Sequence, residues 1–105
     1  MNGTDIVNLL RTNDKAVARA LVVLTERQTS DEQVAERTKH VNGRGFRPAH
    51  AKMGTAMAKF YLRTGYLSPK QIAYWRVSGK QGMRISIYWR QLLQEANLKA
   101  LRKTL

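Results

Sequence analysis

The chain has 105 residues, 43% of them hydrophobic, and no cysteine; this allows one domain with one modest core and excludes disulfides and thiolate-held metals. No apolar run approaches the roughly 20 residues of a membrane span, and Met1 to Asp5 has neither the basic nor the apolar region of a signal peptide, so a cytoplasmic protein is expected. The 19 lysines and arginines face 7 aspartates and glutamates, a net charge of +12, and the imbalance is uneven: residues 1–38 carry a net of −1, whereas residues 39–105 carry +13 with Glu95 as their one acid. A field this concentrated attracts phosphate backbones and anionic surfaces.

In chain order, Thr4 is placed to cap a short first helix, with Asp5 beside its positive end and Ile6, Val7, Leu9 and Leu10 following. Ala16, Val17, Ala20, Leu21 and Leu24 recur at helical spacing and predict an amphipathic helix over 14–28. Thr29-Ser30 interrupts, and Ser30 with Gln33 has the form of a capping box, so a further surface helix is expected over 31–40. Asn42 to Arg47 reads as a loop. Pro48 then opens a helix with Met53, Met57 and Phe60 on one stripe, Lys52, Lys59 and Arg63 on its neighbour, and Gly65 as terminator.

Leu67-Ser68-Pro69-Lys70-Gln71-Ile72 is the sharpest local signal in the sequence. Ser68 is the cap, Pro69 the first helical residue, Gln71 the reciprocal partner, and Leu67 with Ile72 a hydrophobic staple. That helix is expected to reach about Val77 and stop near Gly79, with Lys80-Gln81-Gly82 as a polar connector. Ile85, Trp89, Leu92 and Ala96 mark a final helix. Arg84 to Tyr88 also alternates like a strand, but no partner strand is legible, so helix is preferred. The tail from Lys99 to Leu105 is basic and expected to fray. The expected fold is all-α, a single compact domain of five or six short helices, with a near-neutral part over 1–38, a basic helical module over 39–98 and a basic tail over 99–105.

Asn42-Gly43-Arg44-Gly45, just before a helix start, resembles a phosphate cradle in which free amides and the guanidinium groups of Arg44 and Arg47 hold an anion. It lacks the lysine and Ser/Thr pair of a Walker loop, and the preceding strand and third glycine of a dinucleotide fingerprint. The plainer alternative is a turn whose glycines let Phe46 reach the core; the flanking arginines favour phosphate contact. Lys52, Lys59 and Arg63 have no carboxylate between residues 37 and 94 to pair with, which favours a backbone-tracking stripe over a solvated face.

All the aromatic residues lie between Asn42 and Leu93, and two pairs are followed by arginine: Tyr74-Trp75-Arg76 and Tyr88-Trp89-Arg90. Such pairs suit stacking on unpaired bases. The competing reading is core, which fits Phe60 and Trp89 and puts one of Tyr74 and Trp75 inside. The expected phosphate-contacting set is Arg44, Arg47, Lys52, Lys59, Arg63, Lys70, Arg76, Lys80, Arg84 and Arg90, with Trp75 as the candidate stacking residue. His50 stands near Arg47 and Lys52, which favours its neutral form. Two histidines, His40 and His50, give poor support to a zinc site, and Glu95 alone makes no catalytic carboxylate cluster. A non-enzyme without metal or cofactor is expected.

Asn42-Gly43-Arg44-Gly45-Phe46, then Gly65-Tyr66-Leu67-Ser68-Pro69-Lys70-Gln71, then Tyr88-Trp89-Arg90-Gln91-Leu92 follow the order Asn-x-x-Gly-Phe, Gly-x-Leu-Ser/Thr-x-x-Gln, Tyr-x-Arg-Gln-Leu. In this the chain resembles, over about half its length, a short module of small bacteriophage proteins that is also appended to helicase-type DNA-processing proteins. The module often has an acidic residue after its Phe; Arg47 and His50 stand there instead, and no catalytic residue is carried over. The resemblance implies DNA metabolism in a phage or mobile-element setting, and so the cytoplasm of a bacterial host. The expected function is non-enzymatic binding of DNA or RNA, with single-stranded DNA favoured. The alternative is a phage-encoded inhibitor that contacts a host nucleic-acid enzyme or a nucleoprotein defence complex of the CRISPR kind. Membrane-surface binding is disfavoured because the basic residues are spread over several helices.

Overall fold

Local signals close in sequence fix several helix ends in this protein. A computed structural model describes the backbone of residues 2–34 and 45–104 and the side chains of residues 2–28 and 45–99. Its α-helices are α1 (Gly3–Thr12), α2 (Asp14–Val34), α3 (Pro48–Thr64), α4 (Pro69–Arg76) and α5 (Trp89–Thr104). At α4 the Ser68 N–H donates to Gln71 Oε1 (2.8 Å) and the Gln71 N–H donates to Ser68 Oγ (3.2 Å), the expected capping box, with Pro69 at the first helical position. At α1 the cap is Asn2 rather than Thr4; it forms a reciprocal box with Asp5, two residues earlier than expected. Gly65 ends α3 at φ +83°, a left-handed conformation that glycine adopts without steric cost.

Three elements differ from expectation. α2 does not break at Thr29-Ser30 but runs on to Val34. Once Val17, Leu21 and Leu24 anchor it in the core, extending an existing helix costs less than nucleating another, and a mid-helix Ser or Thr is tolerated. Residues 35–44, which hold the rest of that expected helix, lie outside the described residues. The polar connector is a small antiparallel hairpin, β1 (Ser78–Gly79) paired with β2 (Gly82–Met83) across Lys80-Gln81. The helical backbone of α5 continues to Thr104, through the stretch expected to fray.

The core gathers residues from both the near-neutral and the basic parts: Ile6 and Leu10 of α1, Val17, Leu21 and Leu24 of α2, then Phe46, Ala58, Ile72, Trp75, Ile85, Tyr88 and Leu92. The fold is therefore all-α and a single domain. α3 meets this core through small residues, Gly54 and Ala58, and not through the whole methionine stripe; Met57 packs at the margin and Met53 is exposed. The Phe46 ring lies against Gly54 so closely that a β-carbon there would fall 2.4 Å from ring carbons. Phe46 is also 5.8 Å from the rings of both Trp75 and Tyr88.

Residues Ile85–Tyr88 form a 3-10 turn ahead of α5. In that geometry side chains three apart share a face, so Tyr88 joins Ile85 inside and Trp89 lies half-buried beside Gly3. Arg27, 8% exposed, reaches across from α2 to Gln94 Oε1 (3.1 Å) and to Glu95 Oε2 (3.5 Å) on α5. The one acid of the basic part thus has an internal partner. Among the described residues no helix is long and apolar enough to cross a membrane.

Candidate nucleic-acid interface

The glycine loop is where sequence and structure part most clearly. Gly45 is buried with φ +80°, and a β-carbon there would meet Gln28 within 2.6–2.9 Å. Its N–H donates to Gln91 Oε1 (2.7 Å), and Gln91 Nε2 donates back to the Gly45 carbonyl (3.0 Å). The Arg47 N–H donates to the Tyr88 hydroxyl (3.1 Å). Both amides are therefore engaged inside the protein, and neither is free for the phosphate cradle expected at Asn42-Gly43-Arg44-Gly45. The glycine instead brings Phe46 into the core, as the plainer alternative had it. Asn42, Gly43 and Arg44 lie outside the described residues.

Two more expected contact residues have internal roles. Trp75 is fully buried, with its indole N–H donating to Met57 Sδ (3.0 Å), so it offers no face for a base. Trp75 stands three residues after Ile72 and shares its buried face, and a helix of eight residues depends on such packing for its stability. Arg76 donates from Nε to the Leu10 carbonyl (2.9 Å) and pairs with Asp14 at 2.8 Å, tying α4 to the junction of α1 and α2. Its charge is already answered by a carboxylate.

The other cations are placed differently. Arg47, Lys52, Lys59, Arg63, Lys70, Lys80 and Arg90 are exposed. Among the described residues, the ion pairs that form use Arg27 and Arg76 and none of these seven. Lys52, Lys59 and Arg63 return to one side of α3 at spacings of seven and four residues, and that side lies opposite Gly54 and Ala58. Arg63 also lies over the Phe60 ring (5.7 Å), against which the exposed Tyr66 packs edge-on (5.5 Å). Phe60, expected as a core residue, is half-buried and sits outside the core cluster. Lys70 occupies the first turn of α4, where the helix dipole disfavours a cation, so helix stability gives no reason for it. Arg90 lies over Trp89 (5.3 Å).

The structure brings Arg47, Lys80 and Arg84 together. With His50 they line an open cleft of about 290 Å³ between the start of α3 and the hairpin, and Val77 and Ile87 form its apolar side. Among the described residues, no carboxylate lines it. Arg84 is held in place: Nη1 donates to the Tyr74 carbonyl (2.7 Å) and the guanidinium lies 3.8 Å from the centre of the Tyr74 ring. Arg84 N–H closes on the Val77 carbonyl (2.8 Å), so the hairpin sets its position.

His50 is tied to the same frame by a 2.6 Å contact between Nδ1 and the Tyr88 hydroxyl. The Tyr88 oxygen accepts from Arg47 N–H and shares a second hydrogen bond with Nδ1, in which the His50 tautomer sets the donor; Nε2 is the ring nitrogen outside this pair. Burial, then the charges of Arg84 and Arg47, hold His50 below the ordinary histidine value, which favours its neutral form. Burial pushes Tyr88 above the ordinary tyrosine value and keeps its proton in place.

The cleft was not legible as such. Its one sequence signal is the pair Gly79 and Gly82 around Lys80-Gln81, two glycines flanking two residues, a hairpin pattern. Among the described residues, no three His, Cys, Asp or Glu side chains come together to hold a metal ion. Neither family models, nor curated proteins, nor solved structures give a match to this chain.

Proposed function

We propose that the protein is a non-enzymatic nucleic-acid-binding protein, encoded by a phage or related mobile element, that contacts phosphates through the outer side of α3 and the cleft at its start. The observation that carries this is the set of seven exposed cations, Arg47, Lys52, Lys59, Arg63, Lys70, Lys80 and Arg90, none of which takes part in an ion pair among the described residues. Unpaired cations on a rigid helix repel one another, a cost that a bound polyanion relieves. The contact set is then those seven with Arg84, and with Arg44, which lies outside the described residues; Trp75 and Arg76 leave it.

Single-stranded DNA is the favoured ligand. Tyr66, 57% exposed beside Phe60 and Arg63, and Trp89, half-buried under Arg90, are two aromatic side chains bordered by arginine of the kind on which unpaired bases stack. The phage setting rests on the resemblance of the Asn42–Phe46, Gly65–Gln71 and Tyr88–Leu92 motifs to the helicase-associated module.

The test is a gel-shift panel of single-stranded DNA, duplex DNA and RNA at two salt concentrations. Single-stranded DNA is expected to bind most tightly, with affinity falling steeply as salt rises because bound phosphates release counterions. Affinity that does not change with salt defeats the proposal. A single host protein retained at one-to-one stoichiometry after nuclease treatment of a lysate supports the inhibitor instead.

A further inference from the structure

The cations of this surface are not all alike. Those on α3 are spread along a helix, whereas Arg47, Lys80 and Arg84 converge on one concavity. A phosphodiester inside a strand carries one negative charge, while a phosphate monoester carries about −1.5 to −2 at pH 7. Three cations around one opening, with no carboxylate among its described lining residues, match the second better than the first. Arg84 is pre-organised by the Tyr74 carbonyl and ring, and that contact uses one of its five N–H donors. His50, with Nδ1 occupied by Tyr88, has Nε2 as its remaining polar atom. The cleft's volume of about 290 Å³ is near the lower end for small-molecule sites, enough for a phosphate and its sugar and not for several nucleotides. Val77, 51% exposed, and Ile87 offer apolar surface on which a sugar can rest.

We propose that the cleft formed by Arg47, His50, Lys80 and Arg84 is a seat for the terminal phosphate monoester of a nucleic-acid strand, so that the protein prefers phosphorylated ends. The proposal rests on the nucleic-acid function above and deepens it. The α3 cations then hold the strand's backbone while the cleft holds its end.

The experiment compares one oligonucleotide sequence in three forms, with a 5′-hydroxyl, a 5′-phosphate or a 3′-phosphate, at fixed salt. One phosphorylated form is expected to bind about tenfold more tightly than the hydroxyl form, the scale of one well-made charge-assisted contact. Which form gains identifies the end. Lys80→Ala and Arg47→Ala are expected to erase that difference; both side chains are exposed and make no bond within the fold among the described residues, so the variants fold. Lys59→Ala, on α3 away from the cleft, is expected to weaken all three forms alike.

Inorganic phosphate titrated into the protein, followed by the His50 ring resonances, reads the cleft without a strand. A saturable shift, lost in Lys80→Ala, is expected. Equal affinity for all three oligonucleotides, an advantage that survives Lys80→Ala, or His50 resonances that ignore phosphate each overturns the proposal. The first outcome, with salt-dependent binding intact, leaves the general nucleic-acid function standing. A phosphate response without any oligonucleotide binding removes that function, and the strand-end role with it.

Discussion

The side-chain amide of Gln91 on α5 closes on both polar backbone atoms of Gly45, accepting from its N–H at 2.7 Å and donating to its carbonyl at 3.0 Å. It acts as a strand of one residue, satisfying a buried peptide that no helix or sheet serves. A loop 46 residues away in sequence is thereby fixed to the C-terminal helix. Replacing Gln91 with leucine removes both bonds and leaves the Gly45 N–H and carbonyl without partners. A loss of about 1–3 kcal/mol of stability is expected, read from the urea midpoint at constant slope. Gln91→Glu, which keeps the acceptor and loses the donor, is expected to fall between. Wild-type stability in Gln91→Leu rules the relationship out as a structural tie.

Gly54 meets the edge of Phe46, and the contact distance of 2.4 Å for an added β-carbon leaves no slack. Gly54→Ala should destabilise by about 1–3 kcal/mol through overpacking, although alanine is the better helix former. The second substitution Phe46→Leu, which shortens the ring, should recover part of the loss, and a double-mutant cycle measures the coupling. Additive effects would show that the two residues do not press on each other.

The His50–Tyr88 pair makes stability depend on pH at both ends. His50 lies below its ordinary value of 6.5, so between the lowered value and 6.5 the unfolded chain holds a proton that the fold does not. Its contribution is complete above that window and is lost as pH falls through the lowered value. Tyr88 lies above its ordinary value of 10.0, so its contribution is complete below that value and is lost as pH rises through the raised one. Urea midpoints from about pH 5 to 8 should therefore decline on the acid side, and His50→Gln should flatten that limb. An unchanged acid limb in His50→Gln assigns the decline to other groups.

The exposed cations of α3 and the paired Arg76 separate binding from folding. Changing Lys52, Lys59 and Arg63 together to glutamine should lower the slope of log affinity against log salt by about two for single strands, at unchanged stability. Arg76→Ala should do the reverse. It leaves the Leu10 carbonyl and the Asp14 carboxylate without their partner and lowers stability by about 1 kcal/mol. Asp14 is largely exposed, so the ion pair contributes little of that. A salt slope that moves with Arg76→Ala and not with the triple variant inverts the assignment.

By itself the sequence determined the all-α class, the starts of α3 and α4 and the end of α3, because a capping box, an N-terminal proline and a left-handed glycine act within a few residues of one another. It also determined that α3 carries a basic outer side, since a spacing of seven and four residues cannot leave one side of a helix. What it could not determine was which polar groups were already spoken for. The amides of Gly45 and Arg47, the guanidinium of Arg76 and the indole of Trp75 all find partners between 18 and 66 residues away, and no local pattern encodes a partner at that distance. The same holds for the cleft. Arg47 and Arg84 are 37 positions apart, and they meet because the hairpin turns the chain back and Tyr88 pins the start of α3. Charge was visible in the sequence; the tertiary structure decided which charges are neutralised inside and which converge on one opening, because both depend on contacts made only when the core closes.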